Sequence, residues 1–64
     1  MKISLKVARI NAGLKQKDVA EKVGISRDYL HKIESGKVAP KVDLAFSLVG
    51  LYNININDVD FLFQ

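Results

Sequence analysis

The chain is punctuated at Gly13, at Gly24, over the stretch from Gly36 to Pro40 and at Asn53, which cuts it into five short pieces, so its fold has to be packed from short elements. With 64 residues and no cysteine, neither a disulfide framework nor a thiolate metal site can staple so small a core. An apolar interior must hold it, and an apolar content of 48% is enough for that. Length allows one domain over residues 1–64 and excludes a two-domain enzyme. No stretch approaches the roughly 18 apolar residues of a membrane span, and Met1-Lys2 leads into no apolar secretion signal, so the chain is expected in the cytoplasm.

Four pieces carry helical spacing. Leu5, Ala8, Arg9 and Ala12 share one face of a first helix closed by Gly13, while Ile3, Val7, Ile10 and Leu14 make a second apolar stripe, which predicts packing on two sides. Gln16 to Val23 carries the stripe Val19, Ala20 and Val23, and Gly24 suits the left-handed residue beyond a helix end. Ser26 can cap a third helix by accepting from the amide of Asp28 or Tyr29. Leu30 and Ile33 then point inward, and Arg27, Asp28, His31 and Lys32 point outward. A fourth helix starts near Val42, with Val42, Ala45, Phe46, Val49 and Tyr52 as its core stripe and Leu44, Leu48 and Leu51 as another. Asn57 to Phe63 supplies a last short helical segment. Ile54-Asn55-Ile56-Asn57 alternates with a period of two, but four residues between helical patterns fit a turn and an N-cap better than a strand. The expected fold is all-α, with five helices.

Charge is unevenly distributed. Residues 1–41 hold all ten basic side chains against four acids, a net of +6, whereas residues 42–64 hold three acids alone, which leaves the whole chain at +3. One end is suited to a polyanion.

The second and third helices, joined by Val23-Gly24-Ile25-Ser26, have the layout of a helix-turn-helix. Ala20 is small enough for the two helices to cross closely, Gly24 supplies the backbone angle, Ile25 plugs the space beneath the turn and Ser26 starts the next helix. Such a joint holds the third helix out from the body, where its outer side chains can enter a major groove about 12 Å wide.

Arg9, Gly13-Leu14-Lys15-Gln16, Val19-Ala20, Val23-Gly24-Ile25-Ser26, Leu30, Ile33-Glu34-Ser35-Gly36 and Pro40 resemble, in order and spacing, the lambda-repressor-like, Cro-type helix-turn-helix family, also called the XRE family. The resemblance runs over residues 3–62 and implies a compact five-helix domain that binds DNA. It implies an ion pair between Arg9 and Glu34, in keeping with the cost of an unpartnered arginine on the Leu5–Ala8 face. It also implies phosphate contacts at Gln16 and at the amides around Ser35, Gly36 and Lys37; Lys17 and Lys41 are further candidate neighbours, which ordinary surface solvation explains better.

Base contacts would come from Arg27, Asp28 and Lys32, with Ser26, His31 and Ser35 at the margin. Arg27 or Lys32 can donate to guanine and Asp28 can accept from cytosine, which points to G·C pairs in the operator. Asp28 has other uses open to it: capping the helix, or holding Arg27 or Lys32. Tyr29 is expected to pack under the turn rather than reach a phosphate. Lys15 and Lys41 depart from the family pattern, which places a Ser, Thr or Asn cap at the start of helices two and four; each loses about 1 kcal/mol of capping.

His31 is the single histidine, and the acids are scattered, so no metal site, cofactor or catalytic constellation is expected. Leu44, Leu48, Leu51, Ile54, Ile56, Phe61 and Phe63 exceed what so small a core needs; either helix four is the central buried helix and the last segment folds over the first helix, or Leu51, Ile54, Ile56, Phe61 and Phe63 form a dimer surface, as related repressors of the family do with this region. The expected function is a small prokaryotic or phage repressor that binds a pseudo-palindromic operator as a homodimer. Two rivals remain: an antitoxin that also masks a toxin, and an antirepressor-like interaction module that lost DNA binding. The basic outer face of helix three favours DNA.

Overall fold

The computed structural model describes residues 2–61. Four α-helices, α1 (Leu5–Asn11), α2 (Gln16–Val23), α3 (Arg27–Glu34) and α4 (Val42–Tyr52), are followed by a 3-10 turn at Ile56–Asp58. α1 starts at Ser4, whose Oγ accepts from the Val7 amide at 3.1 Å. α3 starts at Ser26, whose Oγ accepts from the Tyr29 amide at 3.0 Å. α2 and α4 start at Lys15 and Lys41 without any side-chain cap. Each answers with an aspartate in its first turn, Asp18 or Asp43, placed where the helix dipole favours negative charge. Asp43 also accepts from the Leu44 amide at 2.9 Å.

The helices meet around a single apolar cluster. Leu30, Leu48 and Val19 are its most fully enclosed members, each contributing about 1.5–3 kcal/mol of burial. Leu5 and Ala8 of α1, Ala20 of α2, Ile33 of α3, Val49 and Tyr52 of α4 and Val59 complete it, and Leu14, Ile25, Leu44 and Leu51 pack around its edge.

α1 buries one side, not two. Its seven residues press Leu5, Ala8 and Arg9 inward, which turns Val7 and Ile10 to the opposite side, where both are exposed; Ala12, at the C-cap, is exposed as well. α4 departs from expectation in the same way. Its packed face is Ala45, Leu48, Val49 and Tyr52, so Val42 and Phe46 stand at its margin, 72% and 56% exposed. Both stripes obey helical periodicity, and the tertiary contacts decide which of them is inside.

The fifth helix is replaced by a turn and a bridge. Asn55 Oδ1 accepts from the Asn57 amide at 2.8 Å and opens only the three-residue 3-10 turn, after which Val59 is extended. Val59 forms a parallel bridge with Ile3, in which the Ile3 amide donates to Asp58 O at 2.9 Å and the Asp60 amide donates to Ile3 O at 2.7 Å. An extended β-branched Val59 thereby enters the core and ties the start of the chain to its later part, which a continued helix would not do. The expected helical segment, Asn57 to Phe63, continues into Leu62 and Phe63, which lie outside the described residues.

Candidate nucleic-acid interface

The joint between α2 and α3 sets the exposure of α3. Gly24 ends α2 at φ 76° and ψ 34°, and the Gly24 and Ile25 amides both donate to Ala20 O, at 2.9 and 3.0 Å. No atom stands within 4 Å of where a Gly24 Cβ would lie, so the backbone angle, not space, selects glycine there. Ala20 is buried, Ile25 is half-buried against the core, and Tyr29 packs at its edge. Leu30 and Ile33 anchor the inner side of α3.

Arg27, Asp28, His31 and Lys32 all lie exposed on the outer side of α3, with Ser26 and Ser35 exposed at its two ends. Lys32 Nζ stands 3.5 Å from Asp28 Oδ2, one helical turn apart. Of the uses open to Asp28, this geometry favours holding Lys32, while Arg27 has no hydrogen-bond or ion-pair partner among the described residues. A pair this exposed adds little stability. Its effect is to hold the Lys32 ammonium beside the carboxylate.

Behind this face, Arg9 Nε donates to Glu34 Oε2 at 2.8 Å and Nη2 to Glu34 Oε1 at 3.3 Å, while Nη1 donates to Leu14 O at 2.9 Å. The two side chains are 11% and 2% exposed, so the pair is shielded and its geometry is bidentate. Gln16 joins the same carboxylate: its Nε2 donates to Glu34 Oε1 at 3.0 Å. The Gln16 and Leu14 links escaped the sequence reading. The short interval from Arg9 to Leu14 offered some signal for the second, whereas nothing in local spacing connects Gln16 to Glu34.

Tyr52 lies close to this network. Burial raises its phenol from the ordinary 10.0 to about 12, Glu34 pushes it the same way and Arg9 acts against both. Its hydroxyl has no hydrogen-bond partner among the described residues.

The amides of Ser35, Gly36 and Lys37 are all engaged within the chain, donating to His31 O, Ile33 O and Lys32 O at 2.9, 3.2 and 2.9 Å. The group left open there is the exposed Lys37 side chain. Lys17 is exposed beside Gln16, at the uncapped start of α2. In the later part of the chain, Leu51, Ile54, Ile56 and Phe61 are half-buried and packed against the core, and Phe63 lies outside the described residues. Among the described residues, no helix is long and apolar enough to cross a membrane.

The Helix-turn-helix family profile matches residues 5–59. A protein of Methanocaldococcus jannaschii named an uncharacterized HTH-type transcriptional regulator is 39% identical over 59 residues, covering 92% of this chain and 89% of its own. Two proteins of Archaeoglobus fulgidus with the same description are 32% and 30% identical over 64 residues, covering all of this chain and 90% and 89% of their own. No solved structure matches significantly. The chain belongs to the helix-turn-helix family.

Proposed function

From that membership we propose that the chain is a sequence-specific DNA-binding transcription regulator that lays α3 in the major groove and acts as a small repressor by occluding a promoter. The observation that carries the reading is the outer side of α3, where Arg27, His31 and Lys32 are exposed on a helix whose inner side is locked into the core. Arg27 and Lys32 read guanine, Asp28 holds Lys32 and accepts from cytosine, and Ser26 and His31 touch the margins of the site. Gln16, Lys17 and Lys37 supply the backbone contacts, with Ser35 and Gly36 forming the turn that presents the Lys37 ammonium.

A single copy presents one α3, and its longest dimension is 28 Å. Half-sites one DNA turn apart are about 34 Å from centre to centre, so two copies related by a two-fold axis are needed to read a pseudo-palindrome. Selection of bound duplexes from random DNA tests both parts together. A palindromic, G·C-containing consensus supports the reading, and no enrichment at any salt concentration refutes it.

A further inference from the structure

A concavity of about 140 Å³ lies where α1, the start of α2 and the end of α3 meet, lined by Lys6, Gln16, His31, Glu34 and Ser35. Its electrostatics follow from which groups are already engaged. The Glu34 carboxylate is bound by Arg9 at 2.8 Å and by Gln16 at 3.0 Å, so the one acid in the lining is neutralised. Ser35 Oγ donates to Lys32 O at 3.2 Å and has no proton left to give. The Lys6 side chain is exposed with no ion-pair partner among the described residues, and the His31 ring likewise has no hydrogen-bond partner there. The Gln16 amide spends one of its two N–H groups on Glu34 and keeps the other.

The lining therefore offers unspent donors from three elements and no free negative charge, which suits an anion. Gln16 and His31 also line a second, larger concavity with Arg27 and Asp28. The two share Gln16 and His31, so their donors extend from Lys6 on α1, through these shared residues, to Arg27 on α3. A strand whose bases meet Arg27 would carry its phosphates along this line.

We propose that Lys6 binds a DNA phosphate, extending the DNA footprint of this protein onto α1. The proposal rests on the DNA-binding reading above. It names a residue outside the helix-turn-helix whose contact is with the backbone and carries no sequence information.

The test measures binding of the full chain to a short mixed-sequence duplex as a function of salt, for the parent, Lys6→Ala and Lys22→Ala. Lys22 is exposed in the last turn of α2 and lines neither concavity. Loss of one phosphate contact lowers the slope of log K against log salt by about 0.9, equivalent to about eight-fold weaker binding near ~0.1 M salt. Lys6→Ala is expected to show that loss and Lys22→Ala to keep the parent slope. If Lys6→Ala melts early, Lys6→Gln replaces it in the same measurement. A parent-like slope for the Lys6 variant, with Lys37→Ala still lowering it, overturns the proposal and leaves the DNA-binding reading standing. No salt-dependent binding by the parent overturns both.

Discussion

Gln16 Nε2 donates to Glu34 Oε1 at 3.0 Å, so the first residue of α2 is held by the last residue of α3 through the carboxylate that also neutralises Arg9. One buried acid thus joins three helices just behind the face proposed to meet DNA. An acid so placed is costly to leave unpaired, and the orientation of α3 relative to α1 and α2 depends on the whole set.

Removing one member exposes that dependence. Arg9→Ala leaves the Glu34 carboxylate in a site where its side chain is 2% exposed, which should cost about 3–5 kcal/mol in urea unfolding followed by circular dichroism. Gln16→Ala removes one hydrogen bond and leaves the ion pair, so a loss of about 1–2 kcal/mol is expected. A parent-like midpoint for Arg9→Ala contradicts the role given to the pair.

Gly24 is held at φ 76° with open space around its missing side chain. Gly24→Ala should therefore destabilise by about 1–2 kcal/mol through the backbone angle alone. Gly24→Asn should cost less, because asparagine tolerates the left-handed region better, as Asn53 does at the end of α4. Equal losses for the two variants would point to a steric cause instead.

Tyr52 gives the protein an alkaline limit. Between pH 10.0 and about 12 the unfolded chain releases the phenol proton while the native chain keeps it, so stability falls as pH rises through this window. The contribution is on the order of 1 kcal/mol per pH unit of this window. It is intact below pH 10.0, where neither state has lost the proton. Tyr52→Phe removes a buried hydroxyl without a partner, so it should be neutral or stabilising at neutral pH and should flatten the alkaline decline. A steep loss at neutral pH would mean that the hydroxyl is hydrogen-bonded.

The helix-turn-helix was readable because each of its parts is local: Ala20 for close crossing, Gly24 for the angle, Ser26 for the cap, and Leu30 with Ile33 for the inner side. Ser4 is readable in the same way, as a capping serine directly before the first periodic apolar residue. What escaped was decided by long-range contact. Val7 and Ile10 form as good a stripe as Leu5 and Ala8, and in a helix of seven residues periodicity alone cannot choose between them. Phe46 follows the spacing of Val49 and still stands outside the packed face. The bridge between Ile3 and Val59 joins the two ends of the described chain, and its pairing has no local signature that a short helix lacks. At the interface, the exposed row on α3 follows from helical spacing, whereas the sharing of Glu34 by Arg9 and Gln16 requires three helices to be placed first.

Lys37→Ala separates general from specific affinity. With the amides of Ser35, Gly36 and Lys37 engaged within the chain, the lysine side chain is the group left to meet phosphate at that turn. Its loss should weaken selected and mixed-sequence duplexes alike and lower the salt slope by about 0.9. A loss confined to the selected duplex would move Lys37 to the bases.

The central claim is that the exposed row on α3 reads base edges, and Arg27 tests it most directly because it is exposed and unpaired among the described residues. Binding of Arg27→Ala should be measured by fluorescence anisotropy on the selected duplex, on versions changed one base pair at a time, and on mixed sequence. The account predicts a loss of about 1–3 kcal/mol on the selected duplex and relaxed preference at one base pair, with a smaller loss on mixed sequence. Equal losses on every duplex, with the preference at each position unchanged, would contradict it.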